Sequence, residues 1–275
     1  DECFLKGYNV IICNTEQNPG KELTYMRLLA EKAADGMVFV STGGDAEAID
    51  ALSGQKITAV LVDRDIPQLN IDRVVCDNEQ GAYLATRHLI ELGHTRIDCI
   101  AGPQGIASTE DRLAGYRRAM RDEGLDGNIF YGDFQVESGY AVFDRMHRDD
   151  NLPTAFFASN DLMAMGVLHG AAEQHMRVPY DLSVVGFDDI RLASYAVPSL
   201  TTVRQPNEEI IRQTVSLLLG RLTGENTEGM QHRVLTPELI IRSSTGAPGV
   251  GRTVSRAVEN TEGDEDTGQT KGETR

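Results

Sequence analysis

The side chains that could do chemistry stand at the ends of short apolar runs. Asp188 and Asp189 follow Ser183 to Phe187, a run whose β-branched residues read as a strand buried on both faces of a parallel sheet. Carboxylates there can cap a following helix over Ile190 to Ala196, or face the crevice where open α/β sheets bind ligands. Asn160 and Asp161 occupy the same kind of junction, between a strand at Ala155 to Ala158 and a helix over Leu162 to His175, so capping is part of their work. Asp63 follows Ala59 to Val62 and either pairs with Arg64 or faces a pocket. Arg112 carries a planar fork of donors that suits sugar hydroxyls or a carboxylate. Its alternative is a surface role paired with Glu110 or Asp111. Ser108 can touch a ligand or cap, because Ser108 and Asp111 have near capping-box spacing.

Other chemistries find no support in the chain. His88 and His94 belong to a helix and its last turn, where packing and the helix dipole account for them. Cys3, Cys13, Cys76 and Cys99 are widely spaced, without C-x-x-C or ligand-spaced His, and read as buried free thiols. No glycine-rich phosphate loop, nucleophile elbow or metal cluster appears, so neither an enzyme nor a bound cofactor or metal is expected. Lys plus Arg number 26 against 42 Asp plus Glu, a formal charge of −16, which repels phosphate backbones and argues against DNA contact by this chain alone. No run approaches the roughly 18 apolar residues of a membrane span, and no signal peptide opens the chain, so a cytoplasmic protein is expected.

The elements that position these groups alternate as βα units do. Val10 to Cys13, Met37 to Val40, Ala59 to Val62, Val74 to Cys76, Ile97 to Ile100, Ala155 to Ala158, Ser183 to Phe187 and Leu200 to Val203 read as strands. Lys21 to Ala34, Glu79 to Leu92, Arg112 to Glu123, Gly139 to Arg148 and Leu162 to His175 read as helices. In Glu79 to Leu92, Ala82, Ala85, Leu89 and Leu92 form one apolar stripe, and Gly93 stops the helix. The strand count exceeds one compact doubly wound layer, which suggests two sheets. Residues 248–275 are rich in Gly, Thr, Ser, Glu and Asp and are expected to form a disordered acidic tail.

Five blocks carry a family resemblance. They are Val74-Val-Cys-Asp-Asn-Glu-Gln-Gly81, His88-Leu-Ile-Glu-Leu-Gly-His-Thr-Arg-Ile97, Ser108-Thr-Glu-Asp-Arg-Leu-Ala-Gly-Tyr116, Thr154-Ala-Phe-Phe-Ala-Ser-Asn-Asp-Leu-Met-Ala-Met-Gly166 and the stretch from Asp181 to Pro206. Together they resemble the effector-binding core of LacI/GalR-type transcription repressors over about residues 8–247. The resemblance implies an α/β, two-lobed fold of the periplasmic-binding-protein type, each lobe a parallel sheet flanked by helices, with three hinge crossovers. The first lobe would comprise residues 1–76 plus 204–235, and the second 77–203 plus 236–247. It also implies a homodimer that binds a small-molecule effector, a sugar or nucleoside, between its lobes. Carried over residue by residue, the site would contain Arg112, Asp188, Asn160, Asp63, Ser108, Phe134 stacking on a ligand face, and Glu16, with capping left to Asp189.

Family members begin with a helix-turn-helix domain, a hinge helix and a first core strand, and none of these precedes Tyr8 to Cys13. Operator DNA would therefore be reached only through the missing domain. Loss of a strand from inside a sheet leaves buried groups unpaired at about 1 to 3 kcal/mol each, against a total margin of roughly 5 to 15. The chain alone is expected to be marginally stable, and a cooperative thermal transition above about 50 °C would count against that. The rival reading is a periplasmic sugar-binding protein of a transport system, which shares the fold.

Overall fold

A computed structural model of the chain describes residues 2–16, 18–31, 34–40, 57–63 and 70–249. The described chain starts with a short helix, α1 (Glu2–Leu5), and then α2 (Pro19–Glu31). Among the described residues the first sheet holds β1 (Gly36–Val40), β2 (Thr58–Val62), β3 (Asp72–Cys76) and β9 (His232–Leu235) in that spatial order, all parallel. Residues Met37, Phe39 and Leu61 pack with Met26 of α2, while Val60, Val74 and Cys76 pack with Ile210 and Leu217 of α7 (Asn207–Thr223).

The second sheet is the better buried. Its order is β10 (Glu238–Ile240), β8 (Thr201–Arg204), β7 (Ser183–Asp188), β6 (Ala155–Ala158), β4 (Ile97–Ala101), β5 (Ile129–Tyr131). All neighbours are parallel except the β10–β8 edge pair, which is antiparallel. Because side chains alternate across a strand, Phe157, Val185 and Phe187 face α3 (Asn78–Glu91) and α4 (Ala107–Asp122). Phe156, Ala158 and Val184 face α5 (Val136–Arg148) and α6 (Asp161–Glu173). Both faces are thus covered, which is why its central strands are mostly apolar, with Asp98 of β4 as a buried exception. Asp77 caps α3 by accepting the Gln80 N–H, and Gly93 ends it with a φ of 98°. Among the described residues no helix is long and apolar enough to cross a membrane.

The chain passes between the sheets three times, from β3 to α3, from β8 to α7 and from β9 to β10. The expected two-lobed α/β architecture with three crossovers is therefore present. Several expectations need correction. Val10 to Cys13 is not a strand: β1 is the outermost described strand of its sheet, and Val10, Ile11 and Ile12 are left exposed with no ladder partner among the described residues. An apolar run becomes a strand only when a neighbour supplies its hydrogen bonds. The helix over Ile190 to Ala196 is a single 3-10 turn, Arg191–Ser194. The proposed tail lies outside the described residues except for Pro248 and Gly249, which pack near Gly93 and Tyr180.

Candidate functional site

Five of the seven expected site residues converge at the carboxyl edge of the second sheet. Arg112, on the first turns of α4, is buried with its guanidinium 3.8 Å above the centre of the Phe187 ring. Its Nε donates to Asn78 Oδ1 at 2.8 Å, Nη1 donates to the Ser159 carbonyl, and Nη2 pairs with Asp188 Oδ1 at 3.5 Å. A surface pairing with Glu110 is thereby replaced by a buried network, since Glu110 instead accepts from the Gly105 N–H. Gln205 Nε2 donates to the same Asp188 oxygen at 2.8 Å. Asp188 Oδ2 is used by neither contact, and the side chain keeps 27% of its exposure. Burial raises the Asp188 pKa, Arg112 and Gln205 oppose the rise, and Asp63 adds to it.

Asp63, at the end of β2 in the facing lobe, is close enough to act on Asp188 and on the Cys76 thiol. Burial pushes that thiol up to about 12, Arg112 opposes, and Asp63, Asp77 and Asp188 reinforce the shift, so Cys76 is a neutral thiol rather than a nucleophile. The neighbour Arg64 named as an alternative partner of Asp63 lies outside the described residues. Asn160 caps α6 by accepting the Met163 N–H at 2.9 Å and donates to the Phe134 carbonyl at 2.9 Å. The Phe134 ring lies over Gly102, where a Cβ would come within 2.1 Å of it and within 2.6 Å of Thr109 Oγ1. That Thr109 hydroxyl is buried without a partner among the described protein atoms. Ser108 is buried in the first turn of α4 but caps nothing: Ile106 holds the cap position and no side chain bonds there. Glu16 makes its contacts locally, with Asn14 and Lys21.

Backbone strain falls on several of the same residues, as well as on Asp150 and His175 outside the site. Among the described non-glycine residues with positive φ are Glu16 at 51°, Asp63 at 72°, Phe134 at 66°, Asp188 at 110° and Asp189 at 53°. Each such residue costs of order 1 to 3 kcal/mol and persists where surrounding contacts fix it, most often at ligand sites. Around Asp188 the fixing contacts are identifiable. Asp189 pairs with Arg204 at 2.7 Å and Arg242 at 2.6 Å; burial pushes its carboxyl up, but those two arginines outweigh it and hold it below the usual range. The capping expected of Asp189 is not seen, since no side chain caps the 3-10 turn; Asp161 instead fixes its entry, Oδ2 accepting the Ile190 N–H at 2.8 Å and Oδ1 accepting from Thr202 at 2.5 Å. Gly186 makes this possible, because a Cβ there would meet Asp161 Oδ1 at 2.3 Å. Burial raises the Asp161 carboxyl to about 7, opposed by Thr202 and the Ile190 N–H and aided by Asp188 and Asp189.

His88 and His94 are packing residues, but not through the helix dipole. Burial lowers both pKa values and keeps the rings neutral, and they act by hydrogen bonding instead. His88 meets Thr245 at 2.9 Å, while His94 joins Thr154, Ser183 and the Gly246 carbonyl. Among the described residues no group of three or more His, Cys, Asp and Glu could hold a metal ion. Sequence reasoning left Asn78, Gln205 and Thr109 unassigned, although all three lie inside the blocks that carried the resemblance.

The site can therefore offer carboxylate acceptors from two facing lobes, one oriented guanidinium and an aromatic face. Residues 86–245 match the model of the periplasmic binding protein-like domain. Over 250 residues the chain is 36% identical to the HTH-type transcriptional repressor PurR of Haemophilus influenzae (strain PittEE), covering 89% of this chain and 74% of that protein. The chain belongs to the LacI/GalR family. Solved structures of transcriptional regulators share its fold. A complex of the transcriptional regulator CelR with cellobiose is 35% identical, with a TM-score of 0.75 over 82% of this chain and 70% of that one. The Lac repressor dimer bound to operator and an anti-inducer is 27% identical, with a TM-score of 0.79 over 89% and 86%.

Proposed function

We propose that the chain is the effector-binding and dimerisation core of a LacI-type transcription repressor that works in the cytoplasm. A small polar metabolite, a sugar or nucleoside, binds between residues 1–76 plus 204–235 and residues 77–203 plus 236–247, taken as the two lobes. The observation that carries this reading is the Arg112–Asp188 pair at the sheet edge, with Asp63 of the other lobe close enough to act on it. Asp188 Oδ2 and Asp63 accept from ligand hydroxyls, Asn160 and Ser108 add polar contacts, and Phe134 covers a ring face. Arg112 aims Asp188 with one N–H and holds Asn78 and the Ser159 carbonyl with two others, which leaves two of its five donors for ligand oxygens. Glu16 would join from the first lobe on closure.

Closure follows from differential affinity. Moving two lobe arrangements from 1:99 to 99:1 takes about 5.5 kcal/mol, which a few charge-assisted hydrogen bonds made only in one arrangement can supply. In the whole protein this shift controls operator binding by a helix-turn-helix domain, since the acidic core repels DNA. A second copy of the chain docks on an apolar groove of about 380 Å³ in the second lobe, lined by Met165, Leu168, Leu192, Tyr195 and Val197. There Tyr195 and Val197 are 66% and 93% exposed. A dimeric Lac repressor of the same fold supports that occupant.

A thermal-shift screen of sugars and nucleosides tests the effector reading. A true effector at 100 times its Kd stabilises by about 2.7 kcal/mol. The same compound should lose most of its shift on Arg112→Ala; an undiminished shift there would overturn the site.

A further inference from the structure

All three passages between the lobes meet one cluster of side chains. The first runs from Cys76 to Asn78, and Asn78 Oδ1 accepts from Arg112 Nε at 2.8 Å. The second runs from Arg204 to Asn207, and Gln205 Nε2 donates to Asp188 Oδ1 at 2.8 Å. The third runs from Leu235 to Glu238. It is tied to the first by the Asp77 N–H on the Leu235 carbonyl at 2.9 Å. Pro237 and the Phe187 ring both close on Gly81, where a Cβ would sit 3.0 Å and 2.8 Å from them, and Phe187 is the ring beneath Arg112.

We propose that Asn78 and Gln205 are positioning residues that carry the state of the pocket into the hinge, each tying one pocket side chain to one passage. This rests on the effector pocket proposed above and names how that pocket is read. Lobe rotation requires φ and ψ changes within a few residues of the passages. A ligand hydroxyl that draws Asp188 from Gln205, or turns Arg112 from Asn78, changes the hydrogen bonding of those residues directly. A ligand touching neither pair would have no such route. Neither amide contact is local in sequence, with 34 residues separating Asn78 from Arg112 and 17 separating Asp188 from Gln205. Their geometry therefore reports on the arrangement of α4 and β7 relative to the hinge.

Hydrogen exchange on the full-length protein without effector tests this. Asp188→Ala, which removes the acceptor, and Gln205→Glu, which sets two carboxylates face to face, each break the second tie. Each should speed exchange of the amides at 204–208 by about tenfold, the value of one charge-assisted bond, and leave 77–80 unchanged. The double variant D188N/Q205E, in which donor and acceptor trade places, should return 204–208 to near the original rate. A residue that merely fills space would give no such rescue. Asn78→Ala should act on 77–80 and spare 204–208, and Gln205→Leu repeats the second arm if D188A does not fold. Unmoved exchange at 204–208 in the single variants, or a double variant no better than either, overturns the proposal. No effector is added, so an empty effector screen would sink the pocket reading and leave this result standing, while a failed rescue would do the reverse.

Discussion

Arg112 is constrained on three sides at once, by the Phe187 face, by Asn78 and by Asp188. Lysine would keep the charge but lose the planar stack and the Nε donation, so Arg112→Lys should weaken effector binding by roughly tenfold or more, as titration calorimetry would read. Asp161 gives a pH prediction. Its folded pKa of about 7 lies above the ordinary 3.8, so its contribution to stability is complete below about pH 4 and lost as pH rises through 7. Urea unfolding at about pH 5 and about pH 8 should show lower stability at the higher value, with the difference reduced in Asp161→Asn. Charged and aromatic members of the site were legible because strand ends and motif positions announce them. Asn78 and Gln205 were not: unlike Asn160, which stands at the cap position of a helix, neither has a local signature until its distant partner is known. Asp189 was misread because the sequence shows the acid beside the turn but not Arg204 and Arg242 arriving from other elements.

Elements buried on both faces were the ones readable in advance. β6 is a continuous apolar run, and β4 and β7 are largely so apart from Asp98, Ser183 and Asp188; loss of their packing should be severe: Phe157→Ala, from a fully buried ring against α4, should cost about 3 to 5 kcal/mol in denaturant melts. α7 escaped notice because its buried contribution is thin, with Ile210, Thr214 and Leu217 inward and charged residues around them. Much of its attachment is instead ionic. Arg221 grips Asp72 of β3 through two bonds of 2.7 and 2.9 Å, and Gln231 N–H adds a third to the same carboxylate. Burial pushes Asp72 up, but these partners prevail and hold its pKa below the usual range. Removing one partner of a buried pair strands the other, so Asp72→Ala should cost about 3 to 5 kcal/mol. Val10 to Cys13 failed as a strand for the complementary reason, since apolar content without an adjacent ladder cannot make one.

At the scale of the whole molecule, the proposed function makes two sheets, three passages and a pocket at their junction a device that would convert binding into rotation. The apolar groove beside Tyr195 extends this to a second copy: Tyr195→Asp should weaken dimerisation by roughly 30-fold or more, as sedimentation velocity would show, without touching the pocket. The claim on which everything turns is that one effector is held by both lobes. Calorimetric titration of the strongest thermal-shift compound against Asp63→Ala and Asp188→Ala addresses it, because the two acids belong to facing sheets. Bridging predicts that each variant loses roughly tenfold or more in affinity. Full affinity in Asp63→Ala, with loss only in Asp188→Ala, would place the effector on one lobe and contradict the account.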